Sequence, residues 1–504
     1  MFRDFASGNR LLARRLLILA AVVVVMAAWV PAARAAWSAP VTVSAPHSWI
    51  DSLQLASGPY GDLLAWRYED LIVAKGIFGP SGARYAVAPP GGSFGPERQL
   101  PNRYASGPLV NLGGGLFAQV ILKPHGLNLS TPSVTIDRVD GTFVAPLPIH
   151  GSVFANRISV AGNARGDLLA SWISADAHGG HRVVFASVRF AGGRFGAPQV
   201  MSDRGAPEQV RAAIGARRDM IVTFDSGQAR GQLLARVRRA GHSWGPIQHL
   251  GPAAVGTEND VTPYAGNYGG FVVAWYHTQL CEGGCLSPGY TDVAVQASNR
   301  NRFRPAQLLE RDPIGLAGAP IGRSLAPAVA AHGAMIAFLA AGRAAAGAVP
   351  TPAVVKVAYF HGTQFTRRET VSPPNEQASD LTVATGRSGQ MLTWIRDDPP
   401  SYGDGTVFAA VRLPNTGFYP GFAPPEQVSP TEHVSSVLAT FNIASHWPQN
   451  SISPWTVAWV SNPGREGPAG KVQALVRVST PICPIPTSIP APPPTPDPAC
   501  VGPN

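Results

Sequence analysis

Residues 158–200 read ISVAGNARGDLLASWISADAHGGHRVVFASVRFAGGRFGAPQV and hold one complete structural unit. Ile158–Ala161 is a short apolar run of small residues. GDLLASW, ending at Trp172, is a turn followed by a strand that closes on an aromatic. VVFASVRF, around Phe185, alternates apolar and polar residues as a half-buried strand does. AGGRFGAP, with Phe195 and Pro198, is a turn leading into the short run Gln199-Val200. The stretch is therefore four short strands joined by turns.

The same unit recurs along the chain. The aromatic-then-Pro phrase returns at Trp37, Phe94, Phe143, Phe195, Trp244 and Phe303, and more loosely at Phe365 and Phe422. The spacings are 57, 49, 52, 49, 59, 62 and 57 residues. The aromatic-ending strand returns at Trp66, Trp172, Phe224, Trp275, Phe338, Trp394 and Trp459, with Phe117 as a weaker member. Four strands at a period near 50 residues predict an all-β propeller. The first strand of each unit, as in Leu53–Ala56 and Leu381–Ala384, is small enough to converge on an axis. The second-strand aromatics would fill the wedges between blades. The count is eight four-stranded blades; seven is the alternative if 105–149 and 326–371 are something else. The chain opens with a lone fourth strand, Val41 to Ser44, and finishes with a lone third strand, Lys471 to Ser479. Pairing them would close the ring and leave no open sheet edge. Three regions follow: a leader at 1–35, the propeller at 36–479 and a Pro-rich tail at 480–504.

The leader reads as a signal peptide. Arg3, Arg10, Arg14 and Arg15 precede an unbroken apolar run of 15 residues, Leu16 to Val30, and Ala33-Arg34-Ala35 gives a small-x-small cleavage site. A spanning helix needs about 20 apolar residues, so an uncleaved anchor is the lesser alternative. Arg14-Arg15 leaves twin-arginine export open beside the general secretory route. The product would be secreted or held in the cell envelope, with no transmembrane anchor after cleavage. The leader's five arginines and Asp4 account for +4 of the formal charge of +10, leaving +6. Apart from Lys75, Lys123, Lys356 and Lys471, the chain's cations are arginines scattered without a stripe, which argues against nucleic acid and leaves an anionic cell surface or polysaccharide as a partner.

All four cysteines, Cys281, Cys285, Cys483 and Cys500, lie in the exported part. Their close sequence pairing predicts two local disulfides, Cys281–Cys285 and Cys483–Cys500. Metal binding at Cys281 and Cys285 is the rival reading, but no second Cys pair stands nearby at ligand spacing.

The turns before the recurring aromatics read VDGTF, AGGRF, AGHSW, HGTQF and NTGF, at Phe143, Phe195, Trp244, Phe365 and Phe418. They resemble a worn-down Asp-box, the turn of sialidase-like secreted propellers, over about 36 to 479. The family turn carries a Ser and an Asp before Gly-x-x-aromatic; here Asp140 stands in a comparable place, and Arg189, Arg238 and Arg412 occupy strands leading into turns. The resemblance implies a secreted propeller fold. Sialidases also hold a sugar carboxylate with three arginines and use a Tyr nucleophile with a Glu and an acid Asp. That set finds no residue-by-residue match here, and the repeats outnumber the family's six blades.

Propeller topology sorts the connections onto two faces. The turns on one face are short, such as 162–167 and 191–194. The other face carries the connections predicted to be long loops, at 68–84, 276–291, 340–354, 396–406 and 461–470, and long loops on a rigid scaffold are where binding is expected. Where blades begin, Asp51, Asn156, Arg157, Arg211, Asp260, Arg323 and Asp380 would ring the tunnel mouth on that face. Such a mixed ring suits a polar sugar or a peptide terminus, or its members satisfy one another and tunnel water.

Asp397, Asp398 and Asp404 share one loop without a calcium-loop pattern, and His178 with His181 lacks a third ligand. The chain contains no G-x-S-x-G, HExxH or phosphate-cradling glycine loop, so no cofactor is expected. The leading expectation is a monomeric, non-enzymatic binding or scaffold protein for a surface glycan, wall polymer or protein. The alternatives are a sialidase-like carbohydrate hydrolase or lyase using Asp51, Asp260 or Asp380, and a purely structural secreted module.

Overall fold

The computed structural model describes residues 37–478 except 48, 59–60, 73–76, 90–91, 101–104, 114–115, 125–129, 139–141, 143–145, 150–154, 176–181, 204, 228–230, 254–257, 264–269, 281–285, 298–301, 312–324, 331–332, 342–352, 362–363, 387–388, 398–404, 413–420, 431–433, 442–454 and 462–472. The signal segment, all four cysteines, His178, His181, Arg323 and the Pro-rich tail lie outside the described residues.

The fold is an all-β propeller. Seven four-stranded blades are each built from consecutive antiparallel strands, spanning 49–99, 105–148, 155–200, 210–253, 258–311, 325–370 and 377–427. They are called blades one to seven below. Three further strands, Val434–Phe441, Trp455–Ser461 and Gln473–Val478, pair in order. Val41–Thr42, from the start of the chain, pairs with the last of them, with Val41 opposite Val476 and Thr42 opposite Leu475. First strands of successive blades pack against each other, and Val434–Phe441 packs against both Gln377–Gly386 of blade seven and Trp49–Gly58 of blade one.

The core lies between blades. Both faces of a blade meet a neighbour, so second strands are buried on both sides; Met220–Asp225 and Trp455–Ser461 are buried throughout. The recurring aromatics Trp66, Phe117, Trp172, Phe224, Trp275, Phe338, Trp394 and Trp459 are all at most 1% exposed. Burying each is worth roughly 2–3 kcal/mol before conformational entropy is counted. Between blades three and four, for example, Leu169, Ile173 and Val184 meet Val210, Val222 and Phe224. Double-sided burial also explains a departure in the third strands. Gly231–Arg238 alternates between buried and more exposed positions, whereas Gly405–Arg412 is buried over its first six residues.

Two of the predicted long loops, 68–84 and 276–291, are largely paired strand, while 342–352, 398–404 and 462–472 lie outside the described residues. In blade one the ladder continues through Glu69–Ser81 to Ile72–Ile77, so 68–72 and 77–84 are paired strand. Blade five does the same, with Tyr276 paired to Thr291 and Leu280 to Leu286. Continued pairing satisfies backbone groups that an open loop would have to leave to water.

Candidate functional site

Of the residues expected to ring a tunnel mouth, Asp51, Asn156, Arg157, Arg211, Asp260 and Asp380 lie near the starts of first strands, and several share a local irregularity. Register shifts fall between Asp51 and Gln54, between Ala155 and Arg157, and between Ser379 and Thr382. Asp51, Asn156 and Asp380 therefore sit at register shifts, where a bulge bends the strand. Asp380 has a φ of 46°, in the left-handed region that Asp tolerates better than most residues. Its Oδ2 accepts a hydrogen bond from the backbone N–H of Val437 at 2.8 Å, in the strand that packs beside it. Arg157 is exposed. Arg211 is half-buried, and its Nη1 donates to the Val210 carbonyl at 3.2 Å. Asp260 stands opposite Ala274 within blade five.

Other carboxylates on this face are structural. Asp225, at the end of the second strand of blade four, accepts backbone N–H bonds from Glu208, Gln209 and Gly227 at 2.8–3.0 Å. Burial nonetheless raises its pKa, outweighing those donors. Asp397 accepts the Ser379 hydroxyl at 2.9 Å, which ties adjacent strands of blade seven together. Among the described residues, no group of three His, Cys, Asp or Glu side chains is placed to hold a metal ion.

A densely bonded polar centre lies on the opposite, short-turn face, at the junction of blades three and four. Asn163 begins the turn GNARGD, and its Oδ1 accepts the N–H groups of Arg165 and Asp167 at 3.0 and 3.1 Å. Asp167 is fully buried. Its Oδ1 accepts from Ala191 N at 3.0 Å and Arg218 Nη2 at 3.1 Å; its Oδ2 accepts from Arg218 Nε at 2.8 Å and Asn163 Nδ2 at 3.2 Å. Four donors fill the four acceptor positions of a carboxylate. Burial alone would raise the Asp167 pKa, but Arg218, Ala191 and Asn163 together hold it below the ordinary aspartate value.

Blade four repeats part of this scheme, since Asp219 Oδ1 accepts from Ala240 N at 3.1 Å. An aspartate at the start of the second strand thus holds the turn between the third and fourth. That differs from an Asp-box, whose acid belongs to the turn itself. The arginines leading into these turns bond to different neighbours. Arg189 Nη1 donates to Gly166 O at 3.1 Å, Arg238 Nε to His242 O at 2.7 Å, and Arg412 Nη1 to Gln390 Oε1 at 3.0 Å.

Beside this centre is a groove of about 210 Å³ between blades two and three. Leu112, Leu116 and Ile136 form its wall on blade two; Arg165, Arg189 and the turn at Gly192 form the other. The expected functional face was the other one. The sequence carried a signal for this one: GNARGD and GARRDM are the same turn in adjacent blades, each rich in charge.

No protein-family model and no curated protein matches the chain. Solved structures of similar shape include an ulvan lyase from a polysaccharide lyase family, at 9% identity and a TM-score of 0.42 over 73% of this chain and 90% of that one. A lectin from Burkholderia pseudomallei gives 12% identity and a TM-score of 0.44 over 75% and 99%. The β-propeller domain of the Trilobed protease from Pyrococcus furiosus gives 8% and 0.39 over 75% and 98%. The class is that of β-propellers, and the ligands of these proteins are their own.

Proposed function

We propose that this chain is an exported, non-enzymatic binding or scaffold propeller that recognises a surface glycan, a wall polymer or a protein. The observation that carries this reading is how its carboxylates are used. Asp62, Asp167, Asp225 and Asp397 are at most 5% exposed, and each accepts hydrogen bonds that hold strands or blades together. Asp380, one of the acid–base candidates, is engaged by Val437 N–H across a blade junction. A glycosidase needs two carboxyls about 5–10 Å apart that both reach a bound sugar. Carboxylates that fasten a scaffold suit a rigid platform better.

The same reading takes Val434–Phe441, Trp455–Ser461, Gln473–Val478 and Val41–Thr42 as an eighth blade that closes the ring. Supporting it, Val43 is buried with Trp66, Ala458 and Val460, and Thr456 Oγ1 donates to Asp62 Oδ2 at 2.9 Å. A closed ring has no open edge strand and suits a monomer.

The test is a glycan array and a pull-down against isolated envelope, run beside product assays on common polysaccharides with the purified protein. Binding without turnover is expected. Release of reducing ends or unsaturated products, abolished by Asp51→Asn, Asp260→Asn or Asp380→Asn, would overturn the reading.

A further inference from the structure

The groove between blades two and three has an unusual charge balance for an apolar site. Arg189 is 7% exposed, and its Nε is buried with no hydrogen-bond partner among the described residues. Its Nη1 has a single neutral acceptor, the Gly166 carbonyl. The nearest carboxylate in the network is Asp167, whose acceptor positions are already filled by Arg218, Ala191 and Asn163. Asp167 therefore offsets Arg189 only through space, and its formal charge is already matched by Arg218. Burying a guanidinium without a counter-ion is unfavourable, and the penalty is relieved when an anion arrives that can accept its hydrogen bonds. Arg165, exposed on the turn above, adds a second positive charge at the rim.

The rest of the groove selects the body of that anion. Leu112 and Ile136 are nearly fully buried, and Leu116 is half-buried beside them. Gly192 has a φ of 76° and nothing within 4 Å of where a Cβ would stand, so the turn leaves the opening clear. At about 30 Å³ per water-sized group, 210 Å³ admits roughly seven or eight heavy atoms.

We propose that this groove binds a monocarboxylate with a compact branched apolar body, the carboxylate on Arg189 and the body against Leu112, Leu116 and Ile136. A free small acid and the C-terminal residue of a polypeptide ending in Leu or Ile present the same chemistry. The site is separate from the tunnel mouth and stands or falls independently of the glycan-or-protein reading.

The experiment uses the full chain and ligand-detected NMR with titration. The probes are 4-methylpentanoate, its neutral amide, and an acetylated tripeptide ending in Leu as free acid or as amide. Two variants accompany the native protein. Arg189→Met removes the charge at similar volume; Ala164→Trp fills the groove from the exposed turn and leaves Arg189 in place. The native chain should bind 4-methylpentanoate with a Kd on the order of a millimolar or tighter. The amide should bind about tenfold or more weakly, as expected for loss of a charge-assisted hydrogen bond. Ala164→Trp should abolish binding, and Arg189→Met should bind acid and amide alike. A tripeptide acid tighter than 4-methylpentanoate assigns a polypeptide C-terminus, and the reverse assigns a free acid; both support the site. No binding to the native chain of either acid at about ten times that Kd, equal binding of acid and amide, or undiminished binding to folded Ala164→Trp would overturn it.

Discussion

Arg218 clasps Asp167 across the junction of blades three and four with two bonds, Nε to Oδ2 at 2.8 Å and Nη2 to Oδ1 at 3.1 Å. Arg218 makes this contact from a strained backbone. Its φ is 70°, and it occupies the turn position that Gly166 takes, at 82°, in blade three. A left-handed non-glycine residue costs about 1–2 kcal/mol. The ion pair offsets that strain, because Asp167 is buried and Arg218 is its only charged hydrogen-bond partner among the described residues.

Arg218→Met should therefore destabilise the fold by about 1–3 kcal/mol, less than for a fully buried pair because the Arg218 side chain is 41% exposed. Arg218→Gly loses the same bonds and relieves the strain, so it should be milder by about 1 kcal/mol. Chemical denaturation at neutral pH measures both. The Asp167 pKa is lowered in the folded state. Its contribution is present above the ordinary aspartate pKa and lost as pH falls through the folded value. Removing Arg218 should move the acid unfolding limb to higher pH; an unmoved limb would show that the pair carries no linkage.

Trp172 gives a second test, of the inter-blade wedges. It is fully buried and stacks on Phe185 with ring centroids 5.9 Å apart. Trp172→Ala should cost about 3–5 kcal/mol through lost burial and the cavity left behind. Its indole Nε1 is buried without an acceptor. Trp172→Phe removes that orphan donor, so its cost should stay within about 1–2 kcal/mol. Urea midpoints of the two variants separate volume from hydrogen bonding, and equal losses would refute the distinction.

How legible these features were depends on how local they are. Trp66, Trp172, Trp394 and Trp459 stood out because each follows a turn by five or six residues in an apolar run, and a period is visible in one dimension; the strands in fact continue two to six residues past them. The Asp167–Arg218 pair spans 51 positions and two blades, and depends on a left-handed arginine that no propensity favours. The extended ladder of blade one was hidden by its glycines. Gly82 reads as a turn residue, but it lies opposite Tyr68 in the ladder, and a Cβ there would come within 3.1 Å of the Tyr68 ring. Glycine there makes room for an aromatic. Asp51, Asn156 and Asp380 were singled out by position alone, and the register shifts beside them are not displayed by the sequence.

Asp292 supplies a pH prediction of opposite sign. Burial raises its pKa to about 6, and the residue is 8% exposed. An acid with a raised folded pKa destabilises the fold once it ionises. The stability present below the ordinary aspartate pKa, near 3.8, is lost as pH rises towards about 6. Asp292→Asn should therefore be more stable than the native chain at pH 7.5 by about 1–3 kcal/mol, with the advantage vanishing near pH 3.5. Paired melts at the two pH values check it, and an advantage independent of pH would rule out titration of Asp292 as its cause.

Ring closure can be tested at one residue. Thr42 pairs with Leu475 in a strand of two residues. Such a short strand adds little by itself, but its neighbours anchor the segment on both sides. Trp37 packs against the cluster of Trp455 and Trp459, and Val43 is buried with Trp66 and Ala458. If this segment completes an eighth blade, Thr42→Pro should break the pairing, since proline cannot donate to a ladder, and uncover the edge of Gln473–Val478. A lower melting temperature and concentration-dependent self-association are then expected by calorimetry and light scattering. Ala39→Pro, placed before the strand on an exposed residue, should change neither. A Thr42→Pro protein that stays monomeric and melts with the native chain would mean that the ring is held by the inter-blade cores alone, and that Val41–Thr42 merely lies against an edge already stable without it.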